Sequence, residues 1–178
     1  MVPQLGQSIH AHSAVFSPDG QQVLTASEDS TALLWDVASG REIRRFVGHT
    51  SWLASAVFSP DGKQVLTASG QDVSTPDRTA RLWDAASGSE IRRFEGHSKR
   101  LTSAAFSPEG KLVVTASQDE TARVWDVRTG REIRKFEGHA GGVLSAVFSP
   151  DGKLVLTGSE SKTAQLWDVA SGQEIRRF

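Results

Sequence analysis

The chain repeats itself about every 42 residues, and this period constrains its fold more than any other feature. Trp-Asp pairs recur at spacings of 48, 42 and 42 residues, at Trp35-Asp36, Trp83-Asp84, Trp125-Asp126 and Trp167-Asp168. Gly-His pairs precede three of them, at Gly48-His49, Gly96-His97 and Gly138-His139. An F-S-P-[DE]-G segment begins at Phe16, Phe58, Phe106 and Phe148. Self-similarity at roughly 20–50 residues is typical of solenoids and propellers.

Each repeat has the pattern of four short strands joined by turns. In the last repeat the strands are expected at 143–148, 153–159, 163–169 and 174–178. Between the first two, Pro150 and Gly152 occupy the second and fourth positions of a turn, which favours type I. No segment keeps apolar residues at helical spacing beyond about two turns. The pattern therefore predicts an all-β chain of four-stranded propeller blades.

With these motifs in register, the whole chain resembles the WD40 family of β-propellers. The resemblance implies four blades of four antiparallel strands, at about 7–48, 49–96, 97–138 and 139–178, with a six-residue insertion within 70–77 of the second. It also implies a non-enzymatic scaffold for protein–protein interaction. Partners would bind the face that carries the loops before the first strand and between the second and third strands. The alternatives are a recently amplified or engineered repeat segment with no partner of its own, and a propeller-housed enzyme.

A recurring set of polar residues has two interpretations. His97, Ser117 and Asp119 could form a hydrolase triad, whereas the resemblance implies a buried hydrogen-bond network that they form with Trp125. Because an active site normally occurs once per domain and this set recurs, we predict a structural role and no catalytic residue. The predicted network comprises Ser27, Asp29 and Trp35; His49, Ser69, Asp77 and Trp83; His97, Ser117, Asp119 and Trp125; and His139, Ser159 and Trp167.

The first and last repeats depart from this set. Gln7 stands where the first repeat should have its His, and Ser161 stands where the fourth should have its Asp. Losing one buried hydrogen bond costs about 1 kcal/mol, and more where a partner is left unsatisfied. We therefore expect the two end blades to be held less firmly than the two middle ones.

The fourth strand of every repeat carries two basic residues, at Arg44-Arg45, Arg92-Arg93, Arg134-Lys135 and Arg176-Arg177. A ring of positive charge could bind acidic partners or nucleic acid. However, a Glu precedes each pair and the formal net charge is −1, which cancels much of the field. We predict that these side chains protect an exposed strand edge, and that the chain binds neither nucleic acid nor a membrane.

The partner face can be located from the first strand of each repeat. Apolar residues lie four, seven and nine positions after the His, as in Leu53, Ala56 and Phe58, and the step of three suggests a β-bulge. The residues at three and five positions then point away from the blade core. The candidate partner-binding residues are His10, His12, Trp52, Ala54, Arg100, Thr102 and Leu144, with Gln71 and Asp72 from the inserted loop. An aromatic beside an Arg is typical of an interface hot spot.

No cofactor or metal site is predicted. The chain has no Cys, which excludes disulfides and thiolate ligands, and it has no Asn for N-glycosylation. His10 and His12 could bind a metal only with a third ligand that the sequence does not reveal. The first ten residues lack the layout of a signal peptide and no apolar run has membrane-spanning length, so we expect a cytoplasmic protein.

Four blades leave open how the ring closes. Residues 1–7 contain no strand like the EIRRF segments, so pairing of the chain ends within one blade is not expected. Three arrangements remain: a homodimer that forms an eight-bladed ring, which we favour, the remaining blades of a longer propeller, and a closed four-bladed ring. An open arc would expose apolar residues at its ends, and we expect Leu34, Val57 and Leu166 among them.

Overall fold

The computed structural model describes residues 10–70 and 77–178, and in these ranges the chain forms sixteen strands and no helix. The strands make four sheets of four. Blade 1 contains β1 (Ala11–Phe16), β2 (Gln22–Ser27), β3 (Ala32–Asp36) and β4 (Glu42–Phe46). Blade 2 contains β5 (Leu53–Phe58), β6 (Gln64–Ser69), β7 (Ala80–Asp84) and β8 (Glu90–Phe94). Blade 3 contains β9 (Leu101–Phe106), β10 (Leu112–Ser117), β11 (Thr121–Asp126) and β12 (Glu132–Glu137). Blade 4 contains β13 (Val143–Phe148), β14 (Leu154–Ser159), β15 (Ala164–Asp168) and β16 (Glu174–Arg177).

Every blade is an antiparallel meander in chain order, with its first strand innermost, where it contacts the first strand of the next blade. The F-S-P-[DE]-G turns close with a hydrogen bond from the Gly to the Ser, as from Gly152 N to Ser149 O at 2.9 Å. Gly152 has a φ of +70°, in the left-handed region that suits glycine. The predicted all-β fold and its four-stranded blades are confirmed.

A β-bulge interrupts the first strand of each blade, as the spacing of its apolar residues predicts. In blade 2, Leu53 pairs with Ser69 but Ser55 pairs with Ala68, so Ala54 is the extra residue. The same shift leaves His12, Thr102 and Leu144 unpaired in the other blades. The bulge therefore turns the same position of every blade out of the ladder.

Neighbouring blades pack through two different faces, which we name the forward and the rear face. The forward face of blade 1 consists of Leu24, Ala26, Ala32, Leu34 and Phe46, and it packs on the rear face of blade 2, which consists of Leu53, Ala56, Val65, Trp83 and Ala85. The corresponding residues form the apolar clusters between blades 2 and 3 and between blades 3 and 4. The hydrophobic core of the chain is thus a row of three equivalent junctions.

The two end faces are uncovered, so the described residues form an open arc and not a closed four-bladed ring. On the forward face of blade 4, Phe178 is 63% exposed, whereas Phe46, Phe94 and Phe136 at the same position are 1% exposed. On the rear face of blade 1, Val37 is exposed and Trp35 is half-buried.

The expectation that Leu34 is exposed is wrong. Its side chain lies on the forward face of blade 1 and is covered by blade 2. Val57 is half-buried against the next junction. Of the three residues expected at an open end, only the half-buried Leu166 lies on one, because it belongs to the forward face of blade 4.

The two basic residues of each fourth strand have different contacts, which revises their prediction as edge protection. The second residue ion-pairs within its own strand, as Arg93 does with Glu90 at 2.9 Å. The first residue reaches the next blade: Arg44 donates to the carbonyl oxygen of Ala86, Arg92 to that of Thr129 at 3.1 Å, and Arg134 to that of Ala170. In blades 1 to 3 the first residue therefore joins one blade to the next.

Candidate functional site

A threonine of the second strand lies at the centre of the polar network in each middle blade. In blade 3 the Trp125 indole N–H donates to Thr115 Oγ1 at 2.9 Å, and His97 Nε2 lies 2.8 Å from the same oxygen. His97 Nδ1 lies 2.8 Å from Asp119 Oδ2. Because a carboxylate only accepts, Nδ1 carries the proton, and Nε2 accepts from the threonine hydroxyl. Every donor in this series then has an acceptor.

Blade 2 repeats this geometry despite its inserted loop. The Trp83 indole donates to Thr67 Oγ1 at 2.8 Å, and His49 lies 2.7 Å from both Thr67 Oγ1 and Asp77 Oδ2. Asp77 also accepts from Arg81 Nη2 at 3.1 Å. The insertion therefore leaves the aspartate in the position that Asp119 has in blade 3.

The environment of blade 2 holds the histidine neutral and the aspartate ionised. Burial lowers the pKa of His49, and this outweighs the opposite effect of Asp77. Burial alone would raise the pKa of Asp77, but hydrogen bonds from His49 and Thr79 lower it well below its ordinary value. The pKa of Asp119 is lowered against its burial in the same way, by hydrogen bonds from His97 and Thr121.

The predicted serines are buried in these blades but do not bond to the histidines, and the sequence interpretation missed the threonines that do. Ser117 Oγ donates to the carbonyl oxygens of Lys99 and Arg100, at 3.1 and 2.9 Å, and not to His97. Ser69 Oγ likewise donates to the Asp77 carbonyl. The hydrolase triad drawn from the sequence therefore lacks its bond between nucleophile and base. The sequence did contain a signal for these threonines. A Thr stands two positions before the recurring serine in every repeat, at Thr25, Thr67, Thr115 and Thr157.

The polar network of blade 4 lacks its carboxylate. In blade 4, His139 Nε2 lies 2.7 Å from Thr157 Oγ1, but its Nδ1 faces Thr163 Oγ1 at 3.3 Å in place of a carboxylate. Ser161 Oγ contacts Thr163 at 2.9 Å and Ser159 at 2.6 Å.

In blade 1, the Trp35 indole donates to Thr25 Oγ1 at 3.0 Å. Asp29 accepts from the Thr31 hydroxyl at 2.6 Å, and Ser27 Oγ accepts weakly from Asp29 N at 3.4 Å. Gln7, which stands at the position of the missing His, lies outside the described residues.

A cavity of about 360 Å³ opens beside the inner strands, and we name it the inner pocket. It is lined by His12, Trp52, Leu53, Ala54, Gly70, Arg100, Leu101, Thr102, Gln118 and Leu144. Six of the nine predicted partner-binding residues line it, namely His12, Trp52, Ala54, Arg100, Thr102 and Leu144. Four of those six are the bulge residues, so the bulge explains why side chains from four different blades line the same pocket. Gln71 and Asp72 lie outside the described residues.

Two side chains give the inner pocket exposed apolar surface. Trp52 is 38% exposed and Leu144 is 47% exposed. The Trp52 ring stacks on His12 with ring centroids 6.1 Å apart. Thr102 Oγ1 donates to Val143 O at 2.6 Å, so its hydroxyl is used within the wall. The pocket thus offers apolar surface with Arg100 at its side.

Both histidines of blade 1 lie close to the carboxylate of the same glutamate. His12 Nε2 lies 3.2 Å and His10 Nδ1 3.4 Å from the Glu28 carboxylate. His10 itself does not line the inner pocket and is largely exposed. In residues 10–70 and 77–178, no group of three or more His, Cys, Asp or Glu side chains is arranged to hold a metal ion.

Comparison with known proteins adds the family. The family model described as WD domain, G-beta repeat, matches residues 4–36, 40–84, 88–126 and 130–168, which is most of the chain. The search of curated proteins found no match to this chain. Within the described part, no helix is long and apolar enough to cross a membrane. The four matches in series and the four four-stranded sheets lead to one conclusion: the chain belongs to the WD40 repeat family.

Proposed function

We propose that the chain is a scaffold that binds a segment of a partner protein in the inner pocket. WD40 repeats are generally protein-interaction scaffolds and generally not enzymes. The observation that carries the proposal is the convergence of the residues that differ between repeats. Positions equivalent to Trp52 and Ala54 vary from blade to blade while the framework around them hardly changes. Six of the eight residues at these two positions line one cavity.

The pocket favours a segment that presents a large apolar side chain. Trp52 and Leu144 offer apolar surface from blades 2 and 4, on opposite sides of Thr102 from blade 3. A side chain inserted between them would be desolvated by both, and a buried aromatic is the residue type that most often dominates binding. We therefore propose that the partner segment presents an apolar anchor to the inner pocket.

Selection from a displayed library of random peptides tests this function. We expect peptides with a shared apolar anchor to be enriched on the native chain. Trp52→Ala should weaken their binding at least about 30-fold, as expected for a hot-spot side chain worth about 2 kcal/mol. The matched control is Ile91→Ala, which truncates a comparably exposed apolar residue on the outer strand of the same blade.

Two results would contradict the proposal. Selected peptides that bind Trp52→Ala as tightly as the native chain would place the partner elsewhere. A library that yields no common peptide would favour the alternative of an amplified repeat segment without a partner of its own. Both variants should keep the native circular dichroism spectrum, because neither side chain belongs to the junction cores.

A further inference from the structure

We propose that a second copy of this chain covers both end faces, with blade 1 of each copy packed head-to-tail on blade 4 of the other. This interface goes beyond the proposed binding of a partner segment and does not depend on it. Among the residues that the structure describes, none covers the forward face of blade 4 or the rear face of blade 1. The residues of the two faces correspond one by one to those that meet at the three internal junctions.

Most apolar residues of the two end faces match the internal junctions in position and type; the exceptions are smaller residues, Ala11 in place of Leu53 on the rear face and Gly158 in place of Ala68 on the forward face. The forward face of blade 4 presents Leu156, Leu166 and Phe178, which correspond to the buried Leu66, Leu82 and Phe94 of blade 2. The rear face of blade 1 presents Ala14, Val23, Trp35 and Val37, which correspond to the residues through which blades 2, 3 and 4 cover their neighbours. Each end thus has the surface that the other end needs.

A contact between an arginine and a glycine also recurs at the internal junctions, near the outer strands, and both of its residues are available at the two ends of the arc. At internal junctions the arginine stem lies against a turn glycine of the next blade, so closely that a Cβ on Gly88 would come within 2.7 Å of Arg44 Cδ. A Cβ on Gly130 would come equally close to Arg92 Cδ. In blade 1 the corresponding Gly40 has nothing within 4 Å of its Cβ position. In blade 4 the corresponding Arg176 is exposed. Arg176 of one copy fits the groove at Gly40 of the other.

A proline and a glycine repeat this relation at the inner turns. Pro18, Pro60 and Pro108 each lie 3.4–3.7 Å from the Cβ position of a glycine in the next blade, namely Gly62, Gly110 and Gly152. Gly20 of blade 1 has nothing within 4 Å of that position. Pro150 of blade 4 has no following turn in the arc. The contact that three junctions share is therefore available again between Pro150 and Gly20 of two copies.

A second copy is the occupant because the two complementary faces lie on one chain. A forward face that fits a rear face makes a heterologous interface, which either closes into a ring or continues as a filament. Two copies contain eight blades, which is within the roughly four to eight blades of stable propellers. The exposed Phe178 and Val37 show that the four described blades do not close on one another. Closure with two copies leaves no apolar end face exposed.

A pair of engineered cysteines tests the register of this interface. At the internal junction of blades 3 and 4, Ala146 N donates to Ser103 Oγ at 3.1 Å. The corresponding residues of the proposed interface are Ala14 of one copy and Ser145 of the other. We expect the Ala14→Cys, Ser145→Cys double variant to form, under mild oxidation, a covalent dimer of twice 19.2 kDa. The chain has no native Cys to interfere.

The internal pair supplies a matched control. Ser103→Cys with Ala146→Cys should form a disulfide within one chain, which shows that this geometry permits the bond. Each single variant at position 14 or 145 should stay uncrosslinked, because equivalent residues do not meet in a head-to-tail ring.

Other products would overturn the proposal. A disulfide within one chain between positions 14 and 145 would show a closed four-bladed ring, and a ladder of larger products would show a filament. The unmodified chain should sediment as a dimer at micromolar concentration, and a monomer or polydisperse aggregates would also contradict it. Peptide binding at the inner pocket is measured separately, so either result can fail alone.

Discussion

At the scale of single residues, one threonine hydroxyl decides whether a buried tryptophan and a buried histidine are both satisfied. Thr115 accepts from the Trp125 indole and donates to His97, and its side chain has no exposure to solvent. A hydroxyl can do both, whereas no other group of similar size in the apolar core can. The sequence pattern of His, Ser, Asp and Trp identified the two ends of this series. Its centre was missed because a Thr in a strand also has an ordinary explanation as a β-branched residue.

We expect Thr115→Val to lower stability more than its small change in shape implies. Valine keeps the volume but leaves the Trp125 N–H and the His97 Nε2 without a partner, at a cost of about 1–3 kcal/mol for such buried groups. The melting temperature of a domain of this size should fall by roughly 3–9 °C. Calorimetry measures it. Thr115→Ser, which keeps the hydroxyl, is the control, and equal losses in both variants would show that packing and not hydrogen bonding matters.

A second prediction concerns the pH dependence of stability. Burial lowers the pKa of His49 and of His139 in the folded chain. The histidine pKa in the unfolded chain is about 6.5. Below this pH the unfolded chain binds more protons than the folded chain, so the free energy of unfolding decreases as the pH falls. We expect the melting temperature to decline from about pH 6.5 to pH 5, at a cost of no more than about 1.4 kcal/mol per histidine and pH unit.

Denaturant titrations at pH 7.5, 6 and 5 would measure this decline. In the His139→Gln variant the decline should be smaller, because one of the two buried imidazoles is removed. A free energy of unfolding that stays constant across this range would contradict the prediction.

At the scale of strands and turns, local sequence was a sufficient guide to the elements but not to all of their backbone. The strands follow from alternation and from Pro and Gly at the turns, which act over a few residues. The bulge could be predicted because it shifts the apolar positions by one. Three turns between second and third strands place Ser30, Glu120 and Lys162 at φ values of +68°, +71° and +62°, which their residue types do not signal. The tight turn imposes this conformation.

We expect Glu120→Asn to raise stability, because Asn adopts a left-handed backbone at less cost than Glu. Glu120 is exposed, so no core contact is lost. A gain of about 0.5–1 kcal/mol should raise the melting temperature by roughly 1–4 °C. Differential scanning calorimetry measures it. Glu109→Asn, at an exposed turn position without positive φ, removes the same charge, and an equal gain there would show that charge and not backbone strain is responsible.

At the scale of the whole molecule, the sequence predicted how many blades there are but not how they cover one another. Alternation shows that Leu24 and Ala26 share a face, yet it does not show which neighbour lies on that face. Leu34 was therefore expected at an open end and lies instead in a junction. The role of Arg44 was missed for the same reason, since its acceptor is in the next blade. The inner pocket could be outlined because the bulge acts in the same way in every blade, although His10 does not line it.

The equivalence of the three junctions bears on how such a chain changes length over generations. Every blade carries the same forward and rear faces, so duplication or loss of one complete repeat would leave each remaining junction with its contacts intact. Such a change does not prevent the individual blades from folding. Under the proposed closure, the number of repeats is limited by ring geometry, since one blade more or fewer alters the angle between the two ends. Under the proposed pairing of two copies, selection on blade number would act on the residues where the first blade contacts the last.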